Sequence, residues 1–242
     1  MTIIQGYDGS RHAPTHEVAS AVKRSGHEKE KIFAERLGDI NYVVRGQQKP
    51  DVIKGDARYS VKGAAKNIQL LLSRLEPSKI LYGVDCPIYK YQLAAYHHKH
   101  FKFNNNNKID TDLFDAFYNA GLNAAEWLLN KDNFRSVLEK VFSDNYDANK
   151  LVVLKKYNDD ALVYDMKDVI DLYVNSDYDT YVTLDKTGTK GGKVVVVAEN
   201  KEIFYLEVRG GKHHCGSMNH GVRSAGLDPF LKENLTCEVI PA

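Results

Sequence analysis

The sequence predicts an α/β fold, and three observations predict it. An amphipathic helical segment opens the readable part of the chain, short β-branched and aromatic runs follow, and a leucine-rich segment at helical spacing separates them from the next run. Residues 27–38, HEKEKIFAERLG, form the first helix: Ile32, Phe33 and Leu37 make its apolar side, and Gly38 suits its stop. INYVV at 40–44 has the composition of a strand, and RGQQKP that of a turn. DVIK and ARYSVKG then make a hairpin around Gly55-Asp56. Ala64, Ala65, Ile68, Leu71, Leu72 and Leu75 recur at helical spacing and Pro77 closes that helix, after which KILYGV (79–84) returns to strand character.

The later chain elaborates this core. Residues 94–109, AAYHHKHFKFNNNNKI, read as an exposed connection because they combine basic residues with an asparagine run. DTDLFDAFYNAGLNAAEWLL predicts a long helix capped by Asp110 or Thr111, and NFRSVLEKVF continues helical. LVVLKKY, ALVY, YDTYVTL, GKVVVVA and IFYLEVR predict a strand-rich region. No repeat or linker divides the sequence. It therefore reads as one domain, residues 1–242, with a core at about 27–90 and later elements left for dimerisation or recognition.

Composition sets the class. With 242 residues, 43% hydrophobic and 27% charged, the chain has the make-up of a soluble globular protein. No apolar run approaches the ~18 residues of a membrane helix. The opening MTIIQGYDGSRHAP lacks the basic and apolar regions of a signal peptide, so a cytoplasmic location is expected. Cys86, Cys215 and Cys237 offer no disulfide framework. Net charge is +1, yet residues 1–110 hold 18 basic against 11 acidic side chains, and 111–200 hold 10 against 16. The basic half suits a polyanion; two solvated faces of unlike composition explain it equally well.

The hairpin carries the chemistry. Alternation puts Ser60 and Lys62 on one strand face, and reversal at Gly55-Asp56 brings Asp51 alongside. Two readings of the Asp–Lys pair are open. One is a carboxylate that holds Mg²⁺ through oxygen, with an ammonium beside the reacting phosphate. The other is a surface ion pair worth ~0–1 kcal/mol. Asp56, beside Gly55, suits an ordinary turn.

Pro50-Asp51 followed by Ser60-Val61-Lys62 resembles the PD-(D/E)XK nuclease signature, in the variant among type II restriction endonucleases with serine at the acidic position. The resemblance covers about residues 27–84 and rests on placement within helix, hairpin, helix and strand. It implies a restriction-endonuclease-like mixed sheet flanked by helices. It further implies that Asp51 and Glu76 hold Mg²⁺, that Lys62 assists the attacking water, and that Glu35 is a secondary ligand or orienter. Gln69, seven residues before Glu76 on the expected helix, shares its face and would approach the site or the DNA backbone.

A second polar stretch, IFYLEVRGGKHHCGSMNHGVRSAG (203–226), supplies Arg209, Lys212, His213, Asn219 and Arg223. Such side chains contact phosphates or base edges in a recognition loop. The same residues also suit a glycine-rich polar turn, with Glu207 and Arg209 in a cross-strand ionic network. His213, His214, Cys215 and His220 lack the spacing of paired zinc hooks. The resemblance thus implies sequence-specific cleavage of double-stranded DNA with Mg²⁺ by a homodimer, paired with a DNA methyltransferase in restriction–modification defence. A structure-selective repair or recombination nuclease and a noncatalytic DNA-binding protein are the alternatives.

Overall fold

In the computed structural model, residues 16–39, 42, 50–63, 67–142, 147–183, 192–209 and 216–242 are described, with side chains excluded for 16–24, 67–69 and 223–228. In chain order the elements are α1 (His16–Arg36), β1 (Val52–Lys54), β2 (Ala57–Lys62), β3 (Asn67–Ser73), α2 (Leu75–Tyr82), α3 (Pro87–Asn104), α4 (Thr111–Leu128) and α5 (Lys131–Phe142). There follow β4 (Lys150–Val153), β5 (Ala161–Asp165), α6 (Met166–Asn175), β6 (Tyr178–Thr183), β7 (Lys193–Ala198), β8 (Lys201–Val208), β9 (Met218–Arg223), α7 (Ser224–Asn234) and β10 (Glu238–Ile240). The fold is α/β, with two five-stranded sheets among the described residues. The chain forms two compact units. One gathers His12–Ile68, Arg135–Asn175 and Arg223–Ala242, and the other Gln69–Phe134 and Ser176–Val222. The expected core at 27–90 is thereby divided between them.

The first unit holds the sheet ordered β1-β2-β4-β5-β10. The β1–β2 hairpin forms as the sequence predicts, with Lys54 opposite Ala57 and Gly55 at φ +58. A glycine at the first of two central positions is what a tight hairpin turn favours. β2 lies parallel to β4, and β4–β5 and β5–β10 are antiparallel, so the sheet is mixed. Tyr59, Val61, Val152 and Val163 on one sheet face pack with Phe33 and Ala34 of α1, and Phe33 meets Tyr59 edge-on at 5.1 Å. α1 stops as expected at Gly38 (φ +86): Gly38 N–H donates to Glu35 O and Asp39 N–H to Ala34 O. That pair of bonds is the glycine-terminated helix end.

The second unit holds the sheet ordered β3-β9-β8-β7-β6, packed by α3 and α4. α4 begins where predicted, with Asp110 accepting from Leu113 N–H at 3.0 Å. Three expectations are corrected here. The leucine-rich segment expected as helix is strand β3 from Asn67 onward. Its Ile68 and Leu70–Leu72 suit a strand as well as a helix face, and apolar content alone does not separate the two. Pro77 does not end a helix but sits in the first turn of α2, where no intrahelical N–H is needed. KILYGV is accordingly helix, stopped at Gly83 (φ +83), whose N–H donates to Lys79 O.

The third correction concerns residues 94–109, which are mostly the C-terminal half of α3. Three of their basic side chains, His98, Lys99 and Lys102, turn inward, while His97, His100 and Lys108 stay exposed. His98 is fully buried and stacks on Phe117 at 5.7 Å, while Lys99 donates to Val208 O and lies 5.9 Å above the Phe117 ring. Of the strand expected at 40–44, only Tyr42 lies among the described residues.

Candidate active site

The hairpin's polar end is built by the point at which β1 stops. Val61 N–H faces the β1 side of β2, because Lys62 O faces β4 and accepts from Leu154 N–H. The Asp51 carboxylate supplies the acceptor that the shorter strand does not: its Oδ2 accepts from Val61 N–H at 2.7 Å. Asp51 is further fixed through its backbone, whose N–H donates to Tyr59 O and whose carbonyl accepts from Tyr42 OH at 2.6 Å. Lys62 Nζ stands 4.0 Å from the same Oδ2. Asp51, Ser60 and Lys62 are 4%, 0% and 8% exposed. Burial makes this ion pair unlike the surface pair that short-range spacing suggests, because a buried charge demands its partner.

Ser60 Oγ is buried without a hydrogen-bond partner among the described residues. It shares the strand face of Lys62 by alternation. The end of β2 is closed by Lys29, a residue that the sequence reading passed over. It is buried on α1, donates to Lys155 O at 2.7 Å, and crowds Gly63. Burial holds its ammonium below the ordinary lysine range, with Asp159 opposing that shift. Its signal was present: Lys29 lies one helical turn before Phe33, on the apolar face.

The other expected site residues fall elsewhere. Glu35 is exposed on α1 and pairs with Lys31 at 3.8 Å. Glu76 is exposed in the first turn of α2 and belongs to the second unit. Gln69 lies on strand β3, not on a helix. Arg209 follows β8, half-buried, with its N–H bonded to Ser217 O. Asn219 lies within β9 at 5% exposure and donates to Tyr205 OH at 3.3 Å. Arg223 ends β9, with its side chain outside the described residues, as are Lys212 and His213 altogether. His220 is fully buried in β9, where Nε2 accepts from Tyr82 OH at 2.8 Å and Nδ1 donates to Leu71 O.

Among the described residues no three His, Cys, Asp or Glu side chains converge as a metal group. Away from the Gly55-Asp56 turn, the hairpin offers the carboxylate of Asp51 and the hydroxyl of Ser60, which has no hydrogen-bond partner among the described residues. Such donors fit a Mg²⁺ that keeps most of its ligands as water and substrate phosphate, and not a cage of carboxylates. Fold and site together define an α/β protein with a buried aspartate–lysine pair at the end of a hairpin in a mixed sheet. No protein-family model matches the chain, and no curated protein matches it.

Proposed function

We propose that the protein hydrolyses phosphodiester bonds in double-stranded DNA, in the manner of a type II restriction endonuclease, with Asp51 and Lys62 at the reacting centre. The observation that carries the proposal is the 4.0 Å approach of Lys62 Nζ to Asp51 Oδ2 on the hairpin. Its setting supports the same reading. The first unit runs through helix α1, hairpin β1–β2, the greater part of helix α5 and then β4 parallel to β2. This is a mixed sheet with helices, as the resemblance implies, although the helix and strand that the resemblance places within 64–84 are instead strand β3 and helix α2.

In this mechanism Lys62 presents its ammonium to the phosphoryl oxygens, where negative charge develops, and Asp51 fixes the ammonium's position. Asp51 would hold Mg²⁺, with Ser60 Oγ as a second oxygen, and the bound cation would neutralise charge on the phosphate. The same reading carries sequence-specific recognition, a homodimer, a partner methyltransferase and a cytoplasmic location. No helix among the described residues is long and apolar enough to cross a membrane. Purified protein is expected to cut unmodified duplex DNA with Mg²⁺ and to stop on addition of EDTA. Asp51→Asn and Lys62→Met are each expected to lower the cleavage rate at least ~100-fold, the scale of a lost transition-state contact. End-mapping on a library of short duplexes reads rate and site choice together; full activity in either variant removes that residue from the mechanism.

The depth of the pair favours one second reading, in which Asp51 and Lys62 simply lock the hairpin and phosphodiester chemistry is absent. Removal of one partner then destabilises the fold by ~3–5 kcal/mol, and wild type cuts no DNA. Urea melts of the two variants, run beside the cleavage assay, separate the readings.

A further inference from the structure

Helix α2 is lightly held within the second unit. One of its eight residues, Ser78, is buried, against eight of eighteen in α3 and five of eighteen in α4. Arg74, which precedes it, makes no side-chain capping bond, and Gly83 (φ +83) ends it. Ile80 is 86% exposed and Val84, just beyond the helix, 49%, so its outward side adds nothing to the hold. An element with so few buried apolar contacts opens at a fraction of the cost of global unfolding.

Ser78 and Tyr82 fasten the helix by hydrogen bonds. Ser78 Oγ donates to Ser73 Oγ at 2.7 Å, a bond within the bend from β3 to α2. Tyr82 reaches the sheet: its hydroxyl donates to His220 Nε2 at 2.8 Å, and its ring stacks on the imidazole at 5.8 Å. The imidazole is fully buried, and Leu71 O takes its Nδ1–H, which leaves Nε2 as the acceptor. The groups that face it are thus Tyr82 from α2 and Leu71 O from β3, with Leu206 opposite His220 on β8. Cys86, the N-cap of α3, acts on the Tyr82 phenol and not on the imidazole. Among the described residues no carboxylate acts on the ring to balance a positive charge.

We propose that α2 is a latch closed by Tyr82 on His220, and that protonation of His220 releases the helix while the rest of the second unit stays folded. A buried imidazolium with no anion beside it calls for water. Its Nε2–H would meet the Tyr82 oxygen, so the hydroxyl proton must turn away, and the charge stays enclosed until α2 lifts. β3, β9 and β8 are neighbours in one sheet, so the helix is the part that yields. Burial already pushes the imidazole down to about 4, as befits a ring that stays neutral while α2 is closed. The latch is independent of the nuclease reading.

Hydrogen exchange of the full chain, read by mass spectrometry and divided by the intrinsic rate at each pH, tests the latch. Between pH 7 and pH 5 the opening of residues 75–83 is expected to increase about 20-fold. The released ring takes its proton at the ordinary 6.5, and the latched one only at about 4. α4 and β8 are expected to keep their protection over the same range. Tyr82→Phe is expected to open α2 about 10-fold more at pH 7, through loss of one hydrogen bond to a buried acceptor. His220→Gln is expected to hold the exchange of α2 level between the two pH values. Unchanged protection of residues 75–83 at pH 5 in the wild type overturns the latch, and so does loss of protection by α2, α4 and β8 together. A pH response that survives in His220→Gln assigns the switch to another group and overturns it equally. If that variant does not fold, the wild-type comparison of α2 with α4 and β8 decides alone.

Discussion

Gly63 ends β2 at a place where nothing larger fits. A Cβ there would stand 2.4 Å from Leu154 O and 2.4 Å from Lys29 Cδ. The lysine stem can shift, but the carbonyl is part of the β4 continuation and accepts no such displacement. Gly63→Ala is therefore expected to destabilise the protein by ~1–3 kcal/mol, the range of overpacked interiors, seen as a lower urea midpoint. Ser60 behaves in the opposite sense. Its hydroxyl is buried with no partner among the described residues and carries an unreturned desolvation penalty, so Ser60→Ala is expected to leave stability unchanged or raise it by ~1 kcal/mol. If the hydroxyl serves the proposed metal, the same variant will cut DNA more slowly while melting no earlier. That split between rate and stability identifies a functional side chain.

At the level of elements, the sequence was readable wherever one local rule had no competitor. The hairpin formed around Gly55, the long helix began at Asp110, and the valine-rich β7 lay where its composition placed it. Asp110→Ala is expected to cost ~1 kcal/mol through loss of the bond to Leu113 N–H, measurable by chemical denaturation. The failures have a common cause, for tertiary burial decided between two locally acceptable states. Leu70 is 4% exposed in β3, although a leucine run serves a helix face as readily. Lys90, His97 and His100 of α3 are solvated, yet the ring of His98 and the stems of Lys99 and Lys102 join the packed face, where Lys99 reaches Val208 O. α6 was legible and overlooked: Met166, Val169, Ile170, Tyr173 and Val174 recur on one helical face and are all buried. Of the site, Asp51 and Lys62 could be paired from alternation and a turn. Glu76 could not be placed, because its position depended on a helix that proved to be a strand followed by a new helix.

For the whole molecule, the second unit contains a titration that couples stability to pH. Burial pushes the His220 imidazole down to about 4 from an ordinary 6.5, while the bond to Leu71 O opposes that shift. The unfolded chain therefore binds a proton that the folded chain refuses between these two values. The His220 contribution to stability is complete above pH ~6.5, falls as pH drops through the window, and amounts to a loss of roughly 3 kcal/mol by pH ~4. His220→Gln is expected to flatten this slope in urea melts across the range, even where it lowers stability at neutral pH.

The parallel pairing of β2 with β4 joins residues near 62 to residues near 150. A ribosome must therefore deliver the entire intervening stretch before β2 acquires its second neighbour, the central strand β4. Until then the nascent hairpin carries an open hydrogen-bonding edge, a template for wrong partners. A chain released at residue 142 should accordingly be captured by chaperones or precipitate, whereas one released beyond residue 165 can close that edge.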